Sequence, residues 1–327
     1  MVWQSWASAW HDALYGPGGF YRQPSGPAGH FATSAQGIPG GGRFLARALA
    51  ILAERNECTG LVDVGAGRGE LLAEVAAIAP ALQLTGVDVV ERPGRVPDDA
   101  DWLRTPGGVG LPEELHGLQD TLVIAHEWLD VVPCTVAEHD GAVWRTVEVD
   151  EAGEERLGDP LGSADLQWLQ RNWRFEASEG DRAEIGTSRE VAYDALRARI
   201  DCGLLVAVDY GHLADDRPRW GTLTGYRDGT LCPPRPDGST DITAHVAMDT
   251  LGADELVRQR TLFDRLGLRA EAPDISLASA DPPAYLRGLA DRGSYAQLTA
   301  PGGLGDFWWA ISTIRRRRVV SCSDGKC

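Results

Sequence analysis

A strand that runs straight into closely spaced glycines brings bare backbone within reach of a ligand. Val62-Asp63-Val64-Gly65-Ala66-Gly67-Arg68-Gly69-Glu70 has that form. Without a Cβ the chain turns sharply, and its N–H groups can approach a bound molecule closely. In the dinucleotide fingerprint the last glycine comes three positions after the second; here it comes two after, and an acid, Asp63, precedes the loop. That spacing suits the amino-acid end of S-adenosyl-L-methionine (SAM), which carries no phosphate, better than a pyrophosphate. A second acid, Asp88, closes the run Thr85-Gly86-Val87-Asp88. A carboxylate there can accept both hydroxyls of a ribose. The expected cofactor contacts are therefore Asp63, Gly65, Ala66, Gly67, Gly69, Asp88 and Val89, with Glu127 reaching the same place.

His126-Glu127-Trp128-Leu129-Asp130 follows an apolar run, at the position where open α/β sheets hold their ligands. Glu127 and Asp130 are three apart, so a helical turn puts both on one face. Paired carboxylates can hold a guanidinium by charge-assisted hydrogen bonds and help remove its proton, which makes them the leading catalytic pair. His126 is read as an ordinary strand-end histidine. Asp209-Tyr210-Gly211-His212 adds a third catalytic candidate, His212 as general base, and Tyr210 as a pocket wall. Asp241-Ile242-Thr243-Ala244-His245 is polar enough for a substrate side but says little alone. No G-x-S-x-G elbow and no Walker loop occur. The six cysteines include no C-x-x-C pair, so no metal site is expected.

The elements around these residues alternate as an α/β domain should. Strands are predicted at 61–64, 84–89, 100–103, 121–125 and 203–209, and helices at 43–54, 70–79 and 187–200. Trp3, Trp6 and Trp10 lie at helical spacing near the start, ahead of a Gly/Pro-rich stretch through residue 43. Residues 135–148 read as a hairpin about Asp140-Gly141, 150–183 as an acidic, partly helical insertion, and 211–245 as a long irregular segment. Towards the end, 255–266 is predicted helical, 268–272 strand-like and 306–314 an edge strand.

Length and charge narrow the classes. In 327 residues, 48 acids face 31 Lys+Arg, a net charge of −17 that repels nucleic acid and favours a cationic partner. No apolar stretch is long enough to span a membrane, and the first residues lack the pattern of a secretory signal, so a cytoplasmic location is expected.

Taken in order, FYRQPSGPAGHFATS, LVDVGAGRGELL, HEWLDVVP, LLVAVDYGH, GTLTGYRDG and DITAHV resemble the MidA family of class I SAM-dependent methyltransferases, from about Ala13 to Leu251. That family includes a mitochondrial complex I assembly factor that methylates a protein arginine. The resemblance implies an α/β Rossmann-like fold: a mostly parallel seven-stranded sheet, helices on both faces, and insertions at about 134–183 and 211–250. It divides the chain into a 1–56 active-site cover, a 57–320 core and a 321–327 tail. Carried over by position, Gly65, Gly67 and Gly69 would approach the methionine part of SAM and Asp88 its ribose. Glu127 and Asp130 match the family's asparagine-glutamate-aromatic-aromatic-aspartate motif. The stretch 29–34 matches its glycine-aspartate-phenylalanine-x-threonine-serine segment, which places His30, Thr33 and Ser34 with Tyr210 and His245 on the substrate side. Several of those positions depart from the family: His30 stands for aspartate, Thr224 for arginine, and Ala247-Met248 for aspartate-phenylalanine.

The reading implied is N-methylation of an arginine on a protein or peptide, giving S-adenosyl-L-homocysteine as product. Methylation of a small molecule or biosynthetic peptide is the alternative within enzymes, and a non-catalytic SAM-binding assembly factor the alternative outside them. Neither nucleic acid nor membrane is expected as a partner; a homodimer is left open.

Overall fold

Seven short runs pair into one sheet in the computed structural model, which describes residues 2–23, 38 and 40–315. They are β1 (Gly60–Val64), β2 (Gln83–Asp88), β3 (Asp101–Arg104), β4 (Thr121–His126), β5 (Gly203–Asp209), β6 (Glu255–Arg258) and β7 (Trp308–Ile314). Their order is β3-β2-β1-β4-β5-β7-β6. Only β7 runs against its neighbours, pairing antiparallel with both β5 and β6. Every residue of β1, β4 and β5 is buried, as strands covered on both faces must be. This is a Rossmann-like sheet, and its order reverses between β1 and β4, which opens a crevice at their carboxyl ends.

One face is covered by α2 (Gly41–Arg55) and α3 (Glu70–Ile78), through Phe44, Leu45, Leu49, Leu72 and Val75. Against the other face lies the helix Thr187–Arg197, with Ala192, Tyr193 and Leu196 packed on Val62, Val123 and Leu205. Helix α1 (Trp6–Tyr15) does neither. Its Trp6, Trp10 and Leu14 pack on Val136, Val147, Val149 and Ile242, and the Trp10 indole donates to the Ile242 carbonyl at 2.8 Å. The tryptophan stripe is thus two residues long. Trp3 precedes the helix and carries the Arg156 guanidinium over its ring, 4.5 Å from the centroid.

The residues under α1 come from the insertions. Thr135–His139 and Trp144–Val149 pair as the expected hairpin, with Asp140 Oδ1 accepting the Ala142 and Val143 N–H groups at 2.8 Å each. Glu155–Pro160, Arg182–Ile185 and the short Gln4–Ser5 complete a five-stranded antiparallel sheet, and Ser163–Asn172 is helical. The segment after β5, read as irregular, carries the strands Thr224–Arg227, Thr230–Cys232 and Asp241–Thr243 in a small sheet of its own.

The end of the chain departs most from the expectations. Glu255–Arg258 is the edge strand β6, not the start of a helix, because β7 offers it an open row of backbone partners; the helix begins only at Gln259. With β6 outside it, β7 is an inner strand and not the edge. Residues 268–272 form no strand. The unanticipated helix Pro282–Thr299 has its start written in Asp281-Pro282: the Asp281 side chain accepts the Ala284 N–H at 3.0 Å, and proline is tolerated in the first turn. Among the described residues no helix is long and apolar enough to cross a membrane.

Candidate active site

The glycine loop leaves β1 with Gly65, Gly67 and Gly69 at φ +78°, +58° and +79°, a region that side chains with a Cβ enter only at a cost. At Gly69 a Cβ would stand 2.5 Å from Val96 Cγ2, so this glycine serves the close packing that starts α3. Gly65 and Ala66 donate to the Val87 carbonyl, and Gly67 donates to Asp88 Oδ2 at 2.8 Å. Asp88 Oδ1 accepts the Val90 N–H at 3.2 Å. Burial raises the Asp88 carboxyl while these N–H donors work against the rise. Asp63, 3 % exposed, is pushed up to about 7 by burial, then by the charges of Asp88 and Glu70.

A cavity of about 540 Å³ opens here, within the range of nucleoside-sized sites. Its walls bring together Asp63, Gly65, Ala66, Gly67, Asp88, Val89, Glu127 and Asp130. Gly69 is not on the wall. The loop's bare backbone, the acid at the end of β2 and a cavity of this size fit SAM: the loop would hold its amino-acid end and Asp88 its ribose.

Glu127 is the first residue off β4 and sits at φ +50°, a strained conformation for a residue with a side chain. Its N–H donates to the Val208 carbonyl at 2.8 Å, so pairing with β5 holds the turn. No helical turn follows; a bend carries Asp130 to the same cavity. Asp130 Oδ2 accepts the Thr243 hydroxyl at 2.7 Å, and the Asp130 carbonyl accepts from Arg189 Nη2 at 2.8 Å. His126, read as merely structural, also lines the cavity, with Nε2 buried and 3.6 Å from Glu127 Oε1. Burial lowers its ring to about 4, so it is neutral near pH 7.

His212 is not placed as a general base. It is off the cavity wall, and its Nδ1 meets Arg217 Nη1 at 3.0 Å, with Arg217 also bound to Asp249. Burial, then the Arg217 charge, pushes its pKa down to about 3. Tyr210 and His245 stand behind the wall too, ring against ring with centroids 5.2 Å apart. Tyr210 reaches the site through the Thr243 hydroxyl. His30, Thr33 and Ser34 lie outside the described residues.

Sequence reasoning placed a cover within residues 1–56 but did not name the residues that form one wall. Tyr15, Tyr21, Arg22 and Gln23, from the end of α1 and the turn after it, close the cavity opposite the sheet. Tyr15 donates to the Val131 carbonyl at 3.2 Å, Tyr21 to Asp241 Oδ1 at 2.7 Å, and Gln23 Nε2 to the Gly238 carbonyl at 2.7 Å. Asp241 also lines the cavity, and burial raises its carboxyl well above the usual range. The sequence signals were the cover implied within residues 1–56 and the fact that Phe20-Tyr21-Arg22 and Asp241 open two of the family-like stretches.

Residues 95–267 match the family described as "Putative S-adenosyl-L-methionine-dependent methyltransferase". The mouse protein arginine methyltransferase NDUFAF7, mitochondrial, is 24% identical over a 309-residue alignment that covers 79% of this chain and 67% of the relative. A crystal structure of a COG1565 superfamily member from Burkholderia thailandensis, bound to S-adenosyl-homocysteine, superposes with a TM-score of 0.74 at 23% identity, covering 95% of this chain and 88% of that one. A native crystal structure of a COG1565 superfamily protein from the same organism gives a TM-score of 0.71 at 23% identity, covering 95% and 87%.

Proposed function

The chain belongs to this family of SAM-dependent methyltransferases, the MidA family its motifs resemble, and from that premise we propose that it N-methylates an arginine side chain of a protein or peptide. The observation that carries the reading is the sign of the cavity beyond the glycine loop. Glu127 and Asp130 converge there beside Tyr15 and Tyr21, with the buried Asp241 carboxyl held by the Tyr21 hydroxyl. Two of the cavity's arginines are engaged elsewhere: Arg22 donates to the Tyr15 and Pro106 carbonyls, and Arg104 pairs with Glu91. An acidic, aromatic-walled end suits a flat cation, and a guanidinium offers carboxylates a fork of donors. The similarity to a relative named as a protein arginine methyltransferase supports the same substrate.

Bound SAM supplies a methyl group on a positively charged sulfonium, which a nitrogen can displace in a single in-line step. The chain's part is positioning and charge. Glu127 and Asp130 hold the guanidinium and turn one nitrogen toward the loop side. Glu127 would take the proton shed by that nitrogen as the nitrogen received the methyl group of SAM, whose C–S bond would break to leave S-adenosyl-L-homocysteine. The neutral His126 ring beside Glu127 adds no competing charge.

The test is incubation with methyl-labelled SAM and a cell extract, then acid hydrolysis and amino-acid analysis of the labelled material. Label in methylarginine is the expected result. Label in a small-molecule fraction would overturn the arginine reading in favour of the small-molecule one. SAM binding without turnover on any extract would favour the assembly factor.

A further inference from the structure

Two buried carboxyls meet behind the acceptor end of the cavity, and only one of them lines it. Asp209, the last residue of β5, has no exposed surface and is not on the cavity wall, whereas Asp130 is. Asp209 Oδ2 accepts the Leu129 N–H at 3.1 Å, and Asp130 Oδ2 accepts the Thr243 hydroxyl at 2.7 Å. The other oxygen of each, Asp209 Oδ1 and Asp130 Oδ1, is buried and receives no N–H or O–H of any other described residue. Asp209 holds the N–H of Leu129, the residue before Asp130, and Asp130 is the foremost charged neighbour acting on the Asp209 carboxyl. Two anions in this position would repel and leave two oxygens bare in a medium that solvates them poorly. One proton between them removes both costs at once.

We propose that Asp209 is a carboxylic acid that donates its proton to Asp130 Oδ1, and so acts as a positioning residue for the carboxylate that meets the acceptor. Thr243 fixes the direction of the rest of the network. Its single hydroxyl proton goes to Asp130 Oδ2, so in the Tyr210–Thr243 contact Tyr210 is the donor. The chain then reads Tyr210 to Thr243 to Asp130 from one side, and Asp209 to Asp130 from the other. Both arms leave Asp130 one full negative charge and pin the plane of its carboxylate.

The groups around Asp209 place the proton on it. Asp130 and Glu127 face it from the bend after β4, Tyr210 is the first residue after its strand, and uncharged Trp308 stands opposite it on β7. Arg189 spends its donors on the carbonyls of Asp130, Val132 and His245 rather than on either carboxylate. Burial and the two neighbouring acids hold the Asp209 carboxyl well above the usual carboxylate range. The link to acceptor binding rests on the arginine reading above; the shared proton does not.

Infrared difference spectroscopy on the full chain at neutral pH, with no acceptor present, reads the proton directly. Wild type minus Asp209→Asn is expected to show the carbonyl band of a protonated carboxylic acid. The amide of Asp209→Asn can still donate to Asp130 and accept from Leu129, so the variant is expected to fold, and its S-adenosylhomocysteine affinity checks that it has. In Asp130→Asn the band should persist and titrate away at a lower pH than in wild type, because a neighbouring negative charge has gone. A band untouched by Asp209→Asn, or one abolished by Asp130→Asn alone, would overturn the proposal. Loss of arginine methylation as a reading would leave the band where it is, so the two failures are distinguishable.

Discussion

Asp88 Oδ2 accepts the Gly67 N–H at 2.8 Å, so the acid that ends β2 is tied directly to the middle glycine of the loop that ends β1. The two halves of the cofactor site are one hydrogen-bonded unit: the residue expected to meet the ribose also sets the shape of the loop. Asp88→Ala should therefore cost both contacts. The expected loss of S-adenosylhomocysteine affinity is roughly a hundredfold, about 3 kcal/mol. Calorimetric titration checks it; wild-type affinity in a well-folded Asp88→Ala would remove Asp88 from the site.

Cofactor binding should release protons. Asp63, at about 7 in the free protein, is about half protonated at neutral pH. The ammonium of the SAM amino-acid end beside it would favour the anion and drive its proton off. Titrations in buffers of different ionisation enthalpy should show release near pH 7 that fades towards pH 9, where Asp63 is already ionised. In Asp63→Asn the release should vanish. Uptake instead of release would reverse the assignment.

The same residue sets a sign for stability. Its folded-state pKa is raised from 3.8 to about 7, so the native chain binds the proton more tightly than the unfolded one. Its contribution is full below pH 3.8 and is lost as pH rises to about 7, by a few kcal/mol. Denaturant midpoints of wild type should fall relative to Asp63→Asn across that interval. Parallel profiles would show that Asp63 is not the buried acid described.

Glu127 should separate activity from stability. Glu127→Gln keeps shape and loses the proton acceptor, so turnover should fall about 10² to 10⁴-fold with S-adenosylhomocysteine still bound. Glu127→Gly should be inactive yet more stable by about 1 kcal/mol, since glycine adopts φ +50° freely. A glycine variant less stable than wild type would mean that no strain is stored at this turn.

Trp10 anchors the wall whose residues the motifs did not name. It is fully buried and bonds the carbonyl of Ile242, next to Asp241. Trp10→Ala should cost about 3 to 5 kcal/mol by thermal or chemical denaturation. Trp10→Phe should cost about 1 to 3, the penalty of leaving that carbonyl without its donor. Equal costs for the two would show that the hydrogen bond contributes nothing.

Local pattern made the cofactor half readable. A glycine loop, the acid before it and the acid closing the next strand follow from steric needs that act within a few residues, so Asp63, Gly65, Gly67 and Asp88 could be named from their spacing. The central strands were equally plain, because β1, β4 and β5 are buried on both faces and so are written as unbroken apolar runs. Edges carry no such signature. Glu255–Arg258 resembles the helix after it in composition, and only the open side of β7 makes it a strand.

By itself, then, the sequence determined an α/β alternation and which loop and acids line the cavity, because glycine freedom and unbroken apolar runs are short-range constraints; the methyltransferase sheet came from the resemblance of its motifs. The tertiary structure alone decided the rest of the site. It brought Tyr15 and Tyr21 over the cavity from the other end of the chain, set Asp209 against Asp130, and gave the His212 lone pair to Arg217. For the tyrosines and the Asp209–Asp130 pair the neighbours lie tens to hundreds of positions away, where spacing along the chain cannot encode them; Arg217 is only five residues from His212, and its link to Asp249 holds it against the ring.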